Sequence, residues 1–464
     1  MKKNIYKWHR ILGLIVSLPV ILWTLSGLLH PIMGWVKPQV AQKTYTPEVL
    51  DLNKLTVRLD SVLKANGLDR FQNIHLASFD KKSFAIIQAD SSIYIDLKTG
   101  KISGEAKNAY ITFLARHFSG DSLSSIVSIK EITEYSTEYK AVNRLLPVYR
   151  VEFARDDSYT VFIEPNTARL GGVLDNNRFV FNRLFEWFHN FSFLGESIFK
   201  TVVVVCLIIC TIGVSIAGLY IYGFTRKSLG EKGKLGYNKR KERNWHRLIG
   251  LMFSVSLCLF AFSGAYHLLK KEDPIHRLQY QPNDFFSIDV LKNLPKEKFV
   301  TMGLVTINGR AFYQCYTKTT KGLHVEYIDV DQMRSLPNGD ELYAKDLVKR
   351  YFALEDKDIL SVENVTRFTG EYGFINKRLP VQKVQTNLKG SARYYIETRT
   401  GKLAADVVDS DMLEGLSFAY FHKYHMFDFL GKFLRNCIMM IFAFGHLLSI
   451  CLGMWILIKK QKFI

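Results

Sequence analysis

Two stretches of the chain, KWHRILGLIVSLPVILWTLSGLLH ending at His30 and NWHRLIGLMFSVSLCLFAFSGAYH ending at His267, are near copies of one another. Each opens with Trp-His-Arg, closes with Ser-Gly-x-x-His and is apolar in between. The apolar parts, Ile11 to Leu29 and Leu248 to Leu269, are joined by two more runs, Ile198 to Phe224 and Phe433 to Ile458. At about 1.5 Å per residue, each run is long enough to cross a hydrocarbon core of roughly 30 Å. None carries Asp or Glu, and Arg435 interrupts the fourth only near one end. Helices buried in a soluble bundle would keep a polar stripe at the helical period, and none is visible. Four membrane spans are therefore expected. The composition fits such blocks: 48% hydrophobic and 13% aromatic residues coexist with 23% charged ones.

The net charge of +19 is not spread in the manner of a nucleic-acid surface. Lys2, Lys3, Lys7 and Arg10 precede the first run. RKSLGEKGKLGYNKRKERNWHR joins the second to the third, and Lys459, Lys460 and Lys462 follow the fourth. These segments hold about sixteen basic residues against two acidic ones, so the positive-inside rule puts both termini and the middle linker in the cytoplasm. Residues 31–188 and 271–424 are then expected outside. The first run is too long for a cleavable signal peptide, lacks a small-x-small site and has a copy in mid-chain. Five of the six cysteines lie in apolar runs. Cys315 alone falls in an external segment, and no C-x-x-C occurs, so dithiol chemistry is not expected.

The duplication extends further. FHNFSFLG precedes the second run and YHMFDFLG the fourth, which aligns His189 with His425. NRLLPVYRVEFARDDSYTVFIEPNTARLGG has a counterpart in NKRLPVQKVQTNLKGSARYYIETRTGKLAA. The chain thus reads as a tandem repeat of helix, external domain and helix, with the copies parallel. The external segments read as α+β. SFAIIQADSSIYIDLKTGKISG predicts two strands around a polar turn, and DLNKLTVRLDSVLKANGL and ELYAKDLVKRYFAL predict helices. Phosphate-binding glycine loops, H-E-x-x-H and serine elbows are absent.

Strand pairs closed by Asp/Glu-x-x-Thr-Gly-Lys, tied to helices that carry Trp-His-Arg and Ser-Gly-x-x-His, resemble the PepSY-associated transmembrane family. That family includes iron-regulated inner-membrane proteins and ferric-siderophore reductases that bind haem. The resemblance spans nearly the whole chain. It implies an α+β membrane protein with a bundle of four transmembrane helices and two periplasmic PepSY-like domains. The expected division is helix 1 over 1–30, a PepSY-like domain over 31–188, helix 2 over 189–224, a basic cytoplasmic linker over 225–244, helix 3 over 245–270, a second PepSY-like domain over 271–424, and helix 4 with a short tail over 425–464. Some relatives add a cytoplasmic flavin domain after the last helix, and none is expected here.

The histidines then acquire a geometry. His9 and His30 are 21 residues apart, about 31 Å of helix, and His246 and His267 repeat that spacing, as do His425 and His446 in the opposite direction. Level external ends put His30, His189, His267 and His425 in one tier and His9, His246 and His446 in a second near the cytoplasm. His446 has a longer apolar run beyond it than His9 has before it, and the second helix offers Ile209 or Cys210 in its place. Neutral imidazoles from different helices are strong axial ligands for haem iron, so all seven are candidate ligands of haem b, with His30, His189, His267, His425 and His446 as the iron ligands expected first. Zinc would need acidic or thiolate partners that are not spaced beside them. His422 is a further ligand or propionate contact. Arg10 and Arg247 suit propionates or membrane anchoring. Gly27, Gly213, Gly218, Gly264, Gly445 and Gly453 suit close packing of helices or of a flat ring. His75, His117, His276 and His324 read as ordinary surface or core residues, and Tyr135, Tyr139, Tyr372 and Phe374 as core or pocket aromatics.

The expected function is a haem-b inner-membrane oxidoreductase that passes electrons to a periplasmic acceptor, a ferric siderophore by family resemblance. With no nucleotide-binding motif, its donor is expected to be a quinol or a separate flavoprotein. The rival is a non-enzymatic membrane-anchored protein whose external modules bind or inhibit a peptidase or sense the envelope. Tiered histidines discriminate between the two, because an anchor has no use for them.

Overall fold

A computed structural model describes residues 2–52, 57–89, 91–231, 241–270, 276–320 and 322–461, with side chains undescribed at 2–3, 223–231, 374 and 460–461. Much of the basic linker therefore lies outside the described residues. In chain order, α1 (Lys2–Trp35) leads to β1 (Leu50–Asp51), α2 (Leu59–Ala65), β2 (Arg70–Phe71), β3 (Asn73–Phe79), β4 (Lys82–Gln88), β5 (Ser92–Asp96) and α3 (Ala106–Ser119). Then come β6 (Ile126–Ile132), β7 (Val148–Phe153), β8 (Thr160–Glu164), β9 (Arg169–Leu174), α4 (Asn176–Asn190), α5 (Ile198–Glu231) and α6 (Lys241–Lys270). The second half repeats the order with β10 (Phe286–Ser287), β11 (Lys298–Phe299), β12 (Thr301–Ile307), β13 (Arg310–Thr319), β14 (Gly322–Asp329) and α7 (Gly339–Phe352). It closes with β15 (Ile359–Val365), β16 (Val381–Thr386), β17 (Arg393–Glu397), β18 (Lys402–Val407), α8 (Asp409–Ser417) and α9 (Gly431–Gln461).

The elements form two compact units. One is helical and comprises Met1–Lys37, Asn177–Glu272 and Ser410–Ile464; the other is α+β and comprises Pro38–Asn176 and Asp273–Asp409. Among the described residues four helical segments are long and apolar enough to cross a membrane: Asn4–Trp35, Ile198–Tyr222, Lys241–Lys270 and His425–Lys459. They expose Leu14, Leu18, Ile209, Met252, Phe262 and Trp455 to their surroundings, as lipid-facing helices do.

The unit boundaries differ from the sequence expectation. Helix 1 runs past His30 to Trp35, and α4 and α8, expected within the domains 31–188 and 271–424, join the helical unit. The reason is amphipathicity. Although charged, α4 packs on α1: Arg178 donates to the Met33 carbonyl at 3.0 Å and the Trp23 indole donates to the His189 carbonyl at 3.1 Å.

In the α+β unit each half carries a three-stranded sheet (β3-β4-β5 or β12-β13-β14) and a four-stranded sheet (β6 to β9 or β15 to β18), all antiparallel. Side chains alternate along the strands as the pleat requires. Ala77 and Phe79 of β3 pack with Ile111 and Leu114 of α3 in the core of the first half, and Tyr343 and Leu347 of α7 do the same in the second. Ile74 and Leu76 turn instead into a third core shared with Met302, Leu304 and the thiol-bearing Cys315 of the other half. The strand-closing D-L-K-T-G works as an Asx turn: Asp96 Oδ1 accepts from the amides of Lys98 (2.9 Å) and Thr99 (2.8 Å), and Gly100 takes φ +71°.

The two expected PepSY-like domains are thus one body. β1 pairs with β11 and β2 with β10, so each half lends strands to the other. The join repeats itself about a pseudo-twofold. Arg144 donates to Asn376 while Lys377 donates to Asn143 at 2.7 Å, and Arg169 reaches the Leu379 carbonyl (3.5 Å) while Lys402 reaches that of Leu146 (3.1 Å). Glu397, fully buried, is clasped by both Arg169 and Arg378. Burial alone would raise its carboxyl, but the two guanidinium groups outweigh that and hold it at about 2.

Candidate functional site

The two Trp-His-Arg motifs bring His9 and His246 face to face. Their ring centres are 6.4 Å apart with planes at 52°. His9 Nδ1 lies 3.0 Å from the Val214 carbonyl of α5, and His246 Nδ1 lies 2.9 Å from the Ser449 carbonyl of α9. Each carbonyl already serves the helical amide four residues on, which is Gly218 or Gly453. A Cβ at either glycine would stand 3.1 Å from the Cε1 of its histidine, so glycine opens the carbonyl to a second bond. A carbonyl only accepts, so Nδ1 carries the proton and the Nε2 lone pair is left over. Among the described residues neither Nε2 has a partner.

The Ser-Gly-x-x-His motifs contribute their serines to a second pair. Ser26 Oγ lies 3.0 Å from His189 Nδ1, and Ser263 Oγ lies 3.2 Å from His422 Nδ1. Each hydroxyl donates its proton to a carbonyl three residues back, Trp23 at 2.9 Å and Phe260 at 3.0 Å, so it accepts from the imidazole. Nδ1 is again the protonated nitrogen. The His189 and His422 rings stand 6.0 Å apart at 88°. Burial, with the Lys423 charge added, pushes His189 down to about 4, and burial with His189 and Lys423 pushes His422 well below its ordinary value. Both are neutral near pH 7.

Aromatic rings extend this pair symmetrically. Phe185 stacks on His189 (4.6 Å) with His30 beyond it (5.9 Å), and Phe418 stacks on His422 (4.7 Å) with His267 beyond (4.5 Å). The two flanking histidines are engaged elsewhere: Lys423 Nζ lies 3.1 Å from His30 Nε2, and His267 Nδ1 lies 2.7 Å from Glu414.

Two sequence expectations are corrected here. His425 does not align with His189 in space. His189 on α4 and His422 at the end of a π-helical turn, Phe418–His422, are both followed two residues later by a left-handed residue, Phe191 (φ 50°) and Tyr424 (φ 53°), and the turn that comes next is three residues longer in the second half. That insertion shifts the match to His422. His425 falls in the extra turn, exposed, bound to Asp428 at 2.7 Å and Arg435 at 2.9 Å. His446, in turn, joins neither tier. It is 3% exposed, with Nε2 at 2.8 Å from Ser256 Oγ and 3.1 Å from the Phe253 carbonyl, which lie on α6 between His246 and Ser263. The register that matches Val214 to Ser449 and Gly218 to Gly453 gives it Thr211 as counterpart, not Ile209 or Cys210.

Of the other expected residues, Arg10 is exposed and Arg247 partly buried. Gly445 lets the Phe253 ring lie against α9, Gly264 stands beside His422, Gly213 beside Leu12, and Gly27 has nothing near it. His117 binds the Thr44 carbonyl, His276 neighbours Gln279 and Tyr280, and His324 is exposed on β14. Tyr139 and Tyr372 are core residues whose hydroxyls donate to the carbonyls of Leu145 and Arg378. Tyr135 is partly buried, and the side chain of Phe374 lies outside the described residues. Ser26 and Ser263 stood out only as members of Ser-Gly-x-x-His, with no role of their own, and Phe185 and Phe418 were missed. The signal for the last two was a repeated Phe-x-x-x-His placed before each helix end.

Each pair therefore brings two imidazoles within about 6 Å of one another, each held through Nδ1. With metal–nitrogen bonds of about 2.0–2.1 Å, an ion between two imidazoles sets the ring centres roughly 6 Å apart, as both pairs are. Among the described residues no group of three or more His, Cys, Asp or Glu gathers as a metal site. Each pair thus presents two imidazoles, and Gly218 and Gly453 frame the His9–His246 pair. The two pairs are set apart by the rise from His9 to Ser26 on α1, about 25 Å.

No curated protein matches the chain. The model of the PepSY-associated TM region matches residues 6–460. The protein is a membrane protein that belongs to the PepSY-associated transmembrane family.

Proposed function

We propose that the chain is a haem-b oxidoreductase of the bacterial inner membrane, with His9 and His246 holding one haem and His189 and His422 a second. The observation that carries this reading is the pair of facing imidazole pairs, each with Nδ1 tied to an acceptor and Nε2 left free. A bound haem supplies a one-electron couple whose potential is set by its axial ligands and surroundings. The Val214 and Ser449 carbonyls fix the tautomer and ring direction of the first pair, and Ser26 and Ser263 do so for the second. Gly218 and Gly453 keep the first pair clear of side chains. Lys423 stands beside the second as a cation for a carboxylate edge.

The basic segments favour cytoplasmic termini and periplasmic α+β unit. In that orientation electrons run from a quinol or a separate flavoprotein to a periplasmic acceptor. A ferric siderophore is the acceptor that the family resemblance favours, because reduction to the softer Fe(II) weakens its hold in a hard-oxygen chelator.

The test is an absorption spectrum of the chain purified after haem-replete expression, with haem counted against protein. Low-spin haem, two per chain, is expected. A preparation without a Soret band would favour the anchored, non-enzymatic alternative.

A further inference from the structure

The α+β unit holds a partly open cavity of about 710 Å³, in the range of small-molecule sites. Both halves build its wall, which is mainly polar: Asn73, His75, Gln88 and Glu164 come from the first half and Arg378, Arg399 and Lys402 from the second.

The charges in this wall are not balanced alike. Arg378 is bound to Glu397. Lys107 faces Glu131 at 3.6 Å. Glu164 is spent on the amides of Asn166 (3.1 Å) and Thr167 (3.2 Å) and on the Thr167 hydroxyl. Arg399 differs from all of these. Among the described residues its guanidinium has no hydrogen bond and no carboxylate at ion-pair distance, and its one close partner is the Tyr316 ring at 5.6 Å. Burial weighs on both arginines, yet Arg378 ends above its ordinary value because Glu397 compensates, while Arg399 ends below. Lys402 spends one donor on the Leu146 carbonyl and meets no carboxylate, and His75 has no partner among the described residues.

The fold does not demand this cation. Glu-Pro-Asn-Thr in the first half and Glu-Thr-Arg-Thr in the second are equivalent turns, so Asn166 fills the place of Arg399 and the hairpin closes without charge. A guanidinium that lines a cavity without an ion-pair partner leaves its donors for an anion, and its planar fork matches carboxylate or phosphate oxygens. We infer that the cavity between the two halves is a binding site for a small, multiply charged oxyanion, held by Arg399 and Lys402 with His75 and the wall amides completing its hydrogen bonds. The inference goes beyond electron transfer and does not depend on haem.

The test is calorimetric titration of the full chain in detergent with citrate and, separately, inorganic phosphate. Saturable one-to-one binding of either probe is expected, weakened at least tenfold in Arg399→Asn, the residue the sister turn already carries, and less in Arg399→Lys. A thermal melt of each variant checks that it is folded. Failure of both probes to bind the parent chain saturably overturns the inference, as does undiminished binding by folded Arg399→Asn.

Discussion

His9 and His246, from the first and third membrane helices, face each other with ring centres 6.4 Å apart, and each is oriented through Nδ1 by a carbonyl of the helix beside it. The relationship is repeated by His189 and His422 at 6.0 Å, oriented by serines instead. A carbonyl or a hydroxyl engaged in this way fixes the tautomer and the orientation of the ring.

If these pairs hold haem, His9→Ala or His246→Ala should halve the haem per chain and leave the remainder low-spin, because bis-imidazole ligation needs both partners. His189→Ala and His422→Ala should remove the other half. His425→Ala should change nothing. Haem loss in His425→Ala with a normal His422→Ala would restore the direct sequence alignment and refute the pairing.

Gly218→Ala and Gly453→Ala bring a Cβ to 3.1 Å from His9 and His246. Overpacking of this kind costs about 1–3 kcal/mol. The expected readout is a high-spin fraction confined to one haem, with the second pair unaffected. An unperturbed spectrum would mean that the glycines serve helix packing alone.

His446 lies within a row of rings, Phe253 at 6.0 Å and Phe260 at 5.7 Å, and Phe260 stands 5.1 Å from His422. If the two pairs hold haem, His446→Ala should keep the full haem content, since the residue belongs to neither pair. It should slow reduction of the second haem by a donor acting at the first at least tenfold, because about 25 Å of helix separates the pairs. Loss of haem would reinstate it as a ligand, and an unchanged rate would leave it a packing residue.

Glu397 offers a pH test in the α+β unit. Unfolded, a glutamate titrates near 4.3; folded, this one is held at about 2. Its contribution is thus complete above the unfolded value and is lost as pH falls through about 2. Glu397→Gln should cost about 3–5 kcal/mol at neutral pH by stranding Arg169 and Arg378. The gap to the parent chain should narrow in melts taken from pH 4 downward, and a pH-independent gap would contradict the assignment.

Orientation is accessible to reporter fusions. A fusion after Lys234, in the linker outside the described residues, should be active only in the cytoplasm, and fusions at Asp121 and Asp340 only outside. The opposite pattern would overturn the proposed orientation.

Much of this protein is local and so legible in the chain. Apolar runs without acidic residues define helices for lipid, because an unpaired charge is excluded from hydrocarbon. Period-two strands closed by Asp/Glu-x-x-Thr-Gly-Lys define hairpins, because the carboxylate caps its own turn. The duplication and the importance of Trp-His-Arg and Ser-Gly-x-x-His were visible for the same reason. Which histidines meet was not, since facing depends on helix rotation and on a turn three residues longer in one half, and the counterpart of His189 became His422 only when both helix ends were superposed on their left-handed residues. The depth of His446 depended likewise on how far α9 slides along α6. His75 read as an ordinary residue and Arg399 carried no signal in the sequence, because the cavity that they line is built from both halves, and burial, unlike hydropathy, is a property of the assembled fold.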